Sequence, residues 1–250
     1  MSIAVILLAA GYATRLYPLT QDRPKALLPL GRGVILDAVV RSLNQVASVR
    51  KRVLVTNHRF ADQFRAWQQA CGADIEIVDD GTETAETRLG AIGDLELARR
   101  RVDAGDDLLV IGTDNLFRWP LADFVAEAQR YRPEPTVALW EAPSLEVATS
   151  FGVVRRDRTS RITEFVEKSP QPPSRDVALC VYYFPVAMGG QIRQFIESGG
   201  NVDAPGYFIQ WLARHGVVYG VMMPGAWYDI GSLDAYQTVL REWQNDQVTR

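Results

Sequence analysis

The chain has 250 residues, 27 Lys+Arg against 30 Asp+Glu, a formal net charge of −3, 47% hydrophobic and 23% charged residues. These values exclude a disordered chain, a collagen-like repeat and a disulfide scaffold, and the length can bury a core as one large α/β domain or two small ones. The mild acidity argues against a surface built throughout to hold nucleic acid, although a local basic cluster can still take a phosphorylated ligand. Cys71 and Cys180 stand in apolar contexts and read as reduced, mostly buried thiols, with one long-range disulfide as the alternative. With only His58 and His215 present, a His-rich zinc site is out of reach. No apolar run reaches the length of a membrane span, and Ile3–Ala10 has no basic segment before it. The expectation is a soluble, cytoplasmic protein.

Ile3–Ala10 is apolar without alternation, as in a strand buried on both faces. A loop punctuated by Gly and Pro runs from Gly11 to Gly33. Leu36, Val39, Val40, Leu43 and Val46 then recur at helical steps. Val53–Val55 reads as a short strand, Phe60, Phe64 and Trp67 as a helix face, and Ile75–Val78 as a strand. Arg88–Arg101 reads as a helix and Leu108–Ile111 as a second buried strand. This alternation predicts a doubly wound α/β sheet, with ligands bound beyond the carboxyl ends of its strands. The loops Ala10–Arg15 and Gly112–Asn115 would meet there. Beyond them, Phe151–Arg156 and Ile162–Glu167 flank a turn, forming a hairpin. Val177–Phe184 is a strand, Tyr207–His215 and Leu233–Trp243 are amphipathic helices, and Val217–Met223 is a strand between those helices. No repeat or long linker interrupts the chain, so a single domain with an antiparallel annex is expected over residues 1–250.

The chemistry concentrates after the first strand. Gly11 lets backbone N–H groups approach an anion, Arg15 adds a planar charged fork, and Lys25 adds a compact charge. The spacing is neither a Walker A motif nor a dinucleotide fingerprint, and alone it slightly favours an ordinary strand-to-helix connection with solvated charges. The wording is more specific. Leu8-Ala9-Ala10-Gly11-Tyr12-Ala13-Thr14-Arg15-Leu16-Tyr17-Pro18-Leu19-Thr20, followed by Pro24-Lys25-Ala26-Leu27-Leu28-Pro29, resembles the signature of the sugar-phosphate nucleotidyltransferases. Ala13 replaces that family's second Gly. The resemblance continues in order through Leu89–Leu95, Ile111–Phe117 (with Thr113 for Gly), Phe151–Val154, Phe165–Lys168 and Trp227–Gly231.

The resemblance implies a Rossmann-like, GT-A-like mixed sheet. The reaction it implies joins a nucleoside triphosphate to a sugar 1-phosphate, giving a nucleoside diphosphate sugar and pyrophosphate. Thymidylyltransferase-like motifs favour dTTP or UTP. The attacking phosphate oxygen is already ionised at neutral pH, so the reaction needs charge neutralisation and alignment more than acid–base work. By resemblance, Mg²⁺ is held by Asp114 and Asp229, whose default readings are a helix cap and a turn residue. Arg15 and Lys25 would meet the triphosphate, with Leu8, Ala9, Ala10, Gly11, Thr14 and Gly90 around the nucleotide. Lys168, Glu167 and Gly152 would meet the sugar phosphate. Asp94 stands where an acid is uncommon; it reads first as a helix-start carboxylate and second as a residue that tunes base choice. Asp203–Gly206 reads as an ordinary helix-entry turn at least as well as it does as a lid or sugar wall. Leu179 and Cys180 replace a hydroxyl residue and a Gly in the expected sugar wall.

Two other readings stand beside this one. A cytidylyltransferase for a small phospho-alcohol, phosphocholine-like compound or phosphonate would share Leu8–Gly11 and Pro24–Leu27. A nucleotide-binding regulatory subunit without catalysis is the reading from another class, opposed by retention of Arg15, Lys25, Asp114, Lys168 and Asp229. Partners are expected to be the nucleotide and a phosphorylated small molecule, without nucleic acid or membrane; the sequence leaves a homo-oligomer open.

Overall fold

The continuous apolar runs become the inner strands of one sheet. The structure, a computed structural model, describes residues 2–188 and 190–248. The first half supplies β1 Ile3–Leu8, the short pair β2 Pro29–Leu30 and β3 Gly33–Val34, β4 Val49–Thr56, β5 Glu76–Asp79, β6 Asp107–Gly112 and β7 Asn115–Phe117. The second half supplies β8 Thr136–Glu141, β9 Gly152–Arg156, β10 Ile162–Glu167, β11 Asp176–Phe184, β12 Tyr219–Met222 and β13 Trp227–Asp229. The helices are α1 Ile35–Leu43, α2 His58–Cys71, α3 Ala91–Arg99, α4 Leu121–Arg130, α5 Leu145–Ala148, α6 Gln191–Glu197, α7 Pro205–His215 and α8 Leu233–Val248.

The main sheet runs β10-β9-β11-β6-β1-β4-β5, with β8 paired to β11 and β12 paired to β8. β6, β1, β4 and β5 are parallel, whereas β11, β9 and β10 are antiparallel. The expected doubly wound sheet with an antiparallel annex is therefore present. Alternate residues of β1 enter opposite core layers. Ile3, Val5 and Leu7 pack with Leu36 and Val39 of α1, Phe60 and Phe64 of α2, and Phe124 of α4. Ala4 and Ile6 pack with Ile92 and Leu95 of α3, Ile192 and Phe195 of α6, and Phe208 and Leu212 of α7. Helices cover both faces, which is why the inner strands show no polar alternation.

The expected helix at Arg88–Arg101 is shorter, beginning at Ala91 after Gly90, and the strand at Val217–Met223 shortens to β12. The hairpin turn between β9 and β10 is fastened by Asp157, whose Oδ1 accepts from Thr159 N at 2.8 Å and Arg161 N at 3.1 Å. One expectation is corrected. Both cysteines are free, but Cys71 is exposed because it ends α2 at the surface, ahead of Gly72 in a left-handed cap. Among the described residues, no helix is long and apolar enough to cross a membrane.

Leu109 lies fully buried in the middle of β6. Leu109→Ala should lower stability by about 2–5 kcal/mol in urea unfolding, because it empties a site walled by strands on both sides. A loss below about 1 kcal/mol would mean that the layers collapse to fill the space.

Candidate active site

A cavity of about 990 Å³ opens at the carboxyl ends of β1 and β6. The loop after β1 forms its floor. Asn57 holds this loop down, its Nδ2 donating to Ala10 O at 2.9 Å while its Oδ1 accepts from Phe60 N to cap α2. Ala13 has φ of +49°, a left-handed conformation that costs an alanine energy and a glycine little. Its carbonyl is held by Thr20 Oγ1 at 2.8 Å, and the chain then turns so that Thr14 and Arg15 line the cavity. Thr113, the other departure from the expected glycines, points back and donates to Leu8 O at 2.9 Å.

Asp114 and Asp229, far apart in the chain, meet across a small antiparallel pair. β7 and β13 place Asp229 opposite Asn115, Tyr228 opposite Leu116 and Trp227 opposite Phe117. The Trp227 indole donates to Asn115 Oδ1 at 2.9 Å, and Asn115 Nδ2 donates to Asp114 Oδ1 at 2.9 Å. Lys25 completes the arrangement, its Nζ lying 2.7 Å from Asp114 Oδ2 and 2.9 Å from Ile230 O. Burial works to raise the Asp114 pKa, but the charge and hydrogen bond of Lys25 outweigh it and hold this carboxyl below its usual value. Burial and the charge of Asp114 push Asp229 up to about 6, against the pull of Lys25, Arg15 and Lys168. Two half-buried carboxylates that disfavour each other's charge suit a cation between them. Among the described residues, no cluster of three or more His, Cys, Asp or Glu side chains could hold a metal. A hard divalent ion with only two protein carboxylates, its remaining positions filled by water or substrate oxygens, fits this donor set.

The opposite end of the cavity is walled by the hairpin. Gly152 on β9 pairs with Glu167 on β10, and a Cβ on Gly152 would come within 2.8 Å of Glu167 Oε2. Gly206, at the start of α7, leaves room for the same carboxylate from the other side. Burial raises the Glu167 pKa, with Lys168 opposing. Lys168 is exposed at φ of +47°, and its backbone N donates to Phe151 O at 3.0 Å. Trp140, Phe151 and Trp227 form an aromatic cup here, with Trp227 centred 5.2 Å from each of the others. Of the two replaced residues in the sugar wall, only Cys180 lines the cavity; Leu179 turns into the core. Burial pushes the Cys180 thiol up to about 12, so it stays protonated.

Thus Leu8, Ala10, Gly11, Thr14, Arg15, Gly90, Asp114, Gly152, Glu167, Lys168 and Asp229 share one cavity. Ala9 is buried in the core layer beneath the loop, and Lys25 reaches the site through its ammonium. Gly90, at φ of +78°, lets Val202 O approach and accept from Ile92 N at 3.0 Å. The Asp203–Gly206 segment both enters α7 and lines the cavity, tied to the opposite rim where Arg88 Nε and Nη2 donate to Asp203 at 3.2 and 3.1 Å. Asp80 and Thr82 were not singled out by the sequence because they belong to no spaced motif, and Tyr12 was not because it fills a variable position of the Leu8–Thr20 motif.

The chain matches the family model described as nucleotidyl transferase over residues 4–246. It belongs to the nucleotidyl transferase family. The chain is 26% identical over 243 residues to a probable mannose-1-phosphate guanylyltransferase 1 of Oryza sativa subsp. japonica, covering 94% of the chain and 63% of the relative. It is 30% identical over 271 residues to a glucose-1-phosphate adenylyltransferase of Corynebacterium diphtheriae, covering 94% and 62%. The chain spans about three fifths of the length of the curated relatives it matches. A UDP-glucose pyrophosphorylase solved with UDP-glucose superposes with a TM-score of 0.81 at 19% identity, covering 98% of this chain and all of that one, a likeness of fold.

Ala13→Gly should stabilise the protein by about 0.5–1 kcal/mol in urea unfolding, since glycine adopts the left-handed backbone without the Cβ penalty. A destabilised variant would show that the alanine methyl packs for more than its strain costs.

Proposed function

We propose that the chain transfers a nucleotidyl group from a nucleoside triphosphate to a sugar 1-phosphate, releasing pyrophosphate. The observation that carries this reading is the meeting of Asp114, Asp229 and Lys25 beside the Gly11–Arg15 loop, inside a chain of the nucleotidyl transferase family. The printed names of the sequence relatives, a guanylyltransferase and an adenylyltransferase of sugar 1-phosphates, agree with the reaction class. The preference for dTTP or UTP rests on the motif resemblance alone.

The residues divide the work. The loop amides after Gly11 and the Arg15 guanidinium hold the triphosphate and orient its pyrophosphate leaving group. Lys25 keeps Asp114 ionised and adds positive charge next to the α-phosphate. Lys168 receives the acceptor phosphate, and Glu167 accepts from acceptor hydroxyls. An acceptor phosphate oxygen then bonds to the α-phosphorus as the α–β bridging bond breaks and pyrophosphate leaves with that electron pair. Asp114 and Asp229 would hold Mg²⁺, which when bound supplies charge neutralisation to the phosphates.

The aromatic cup favours one second reading. Trp140, Phe151 and Trp227 beside Glu167 also suit a quaternary ammonium, as in a phosphocholine acceptor. Aromatic faces stack equally on the C–H face of a hexose, so the acceptor must be assayed. A matrix of nucleoside triphosphates against hexose 1-phosphates and choline phosphate, with Mg²⁺, reads pyrophosphate release. Release with hexose 1-phosphates supports the leading proposal, release with choline phosphate alone supports the second, and no release from any pair favours a binding module.

In that assay Asp114→Asn and Asp229→Asn should each lower kcat by about 100-fold or more. Chelation should stop wild-type turnover and Mg²⁺ should restore it. Lys168→Ala should raise KM for the acceptor by roughly 10- to 100-fold, with a smaller effect on KM for the nucleotide. Wild-type rates in an aspartate variant would remove that residue from the metal site.

A further inference from the structure

The sheet order lays the cavity out along one line. Asp80 follows β5, Gly11 follows β1, Asp114 follows β6, and Gly152 and Glu167 lie on β9 and β10 at the far edge. If phosphates sit over Gly11–Arg15 and the acceptor lies against Glu167, the nucleoside must lie toward β4 and β5. That end is lined by Tyr12, Arg88, Gly90, Ala91 and Asp94.

Asp94 is unusual there. It lies in the first turn of α3, where a carboxylate ordinarily faces solvent near the positive helix end. Here it is only 6% exposed and lines the cavity. Its Oδ1, and Oδ2 of Asp80, are buried without a hydrogen-bond partner among the described residues. The other Asp80 oxygen accepts from Thr82 N at 2.6 Å, which fixes Asp80 behind Asp94. Thr82 in turn shares a hydrogen bond of 3.1 Å with the Tyr12 hydroxyl from the phosphate loop. Arg88, the cation on this rim, is engaged by Asp203 in two hydrogen bonds.

We propose that Asp94, backed by Asp80, reads the nucleobase and selects one that carries an exocyclic amino group over uracil and thymine. The inference rests on the nucleotidyl-transfer reading and names the base for its nucleotide. Burial, with the charge and hydrogen bond of Asp80, pushes the Asp94 pKa up to about 8, consistent with one proton shared between the two acids. With that proton held between the acids, the oxygen toward the cavity acts as an acceptor. An amino group of guanine, cytosine or adenine gives it a donor. Uracil and thymine flank their single ring N–H with two carbonyl oxygens, which face acceptor oxygens and the charge of Asp80 unfavourably. This selection departs from the dTTP or UTP preference suggested by the motifs.

The test compares GTP, CTP, ATP, UTP and dTTP, by kcat/KM for pyrophosphate release and by calorimetric Kd on the same enzyme. Wild type should favour at least one amino-bearing nucleotide over UTP and dTTP by about 10- to 100-fold. Asp94→Ala should erase most of that ratio, chiefly through KM for the nucleotide. Asp94→Asn should retain it, because its amide can donate to Asp80 and turn a carbonyl toward the cavity. A wild-type preference for UTP or dTTP, or an unchanged ratio in Asp94→Ala, overturns the inference. If no acceptor supports turnover but the Kd ratio behaves as stated, base selection stands and the transfer reading fails.

Discussion

The site depends on three residues of pairing between β7 and β13. That pairing carries Asp229 back to Asp114, together with Lys25, whose Nζ donates both to Asp114 Oδ2 and to Ile230 O, and the pairing is short enough to need fastening from the side. The Trp227 indole supplies the fastening through Asn115, and Asn115 passes it to Asp114. Two half-buried carboxylates held together oppose each other's ionisation, and Lys25 offsets this from the other side. In the proposed reaction a cation bound with a polyphosphate would relieve that opposition.

The second constraint is the sheet order. Parallel strands from β6 to β5 present their carboxyl ends to one edge, so the loops after β1 and β6 meet above the sheet. Antiparallel β11, β9 and β10 extend the same sheet on the other side, placing Gly152, Glu167 and Lys168 beyond Asp114. Acid pair, phosphate loop, carboxylates and hairpin thus follow one another across the cavity. The Arg88–Asp203 ion pair ties the α7 entry to the opposite rim. Both side chains are substantially exposed, so this tie adds little stability.

Much of this was legible where the signal is local. β1 and β6 announced themselves as unbroken apolar runs, and the loop motif that begins at Leu8 marked a segment that lines the cavity. The convergence of Asp114 and Asp229 was not legible from spacing, because sequence separation carries no information on a two-strand pairing; only the family resemblance linked them. β8, α4, α5 and α6 escaped the reading, since short amphipathic segments and strands of mixed pairing lack a decisive period. Asp80 was invisible because its importance comes from Asp94, on an element it meets only after folding. Cys71 was misread because an apolar neighbour in sequence says little about the last turn of a surface helix.

In the proposed reaction Asp114 and Asp229 act together as one cation site beside the Gly11–Arg15 loop. Mn²⁺ binding in the presence of a non-hydrolysable nucleoside triphosphate, followed by water-proton relaxation, tests it without relying on turnover. Wild type should bind the ion tightly with nucleotide, and both Asp114→Asn and Asp229→Asn should lose most of that affinity while remaining folded. Wild-type affinity in either folded variant would contradict the claim.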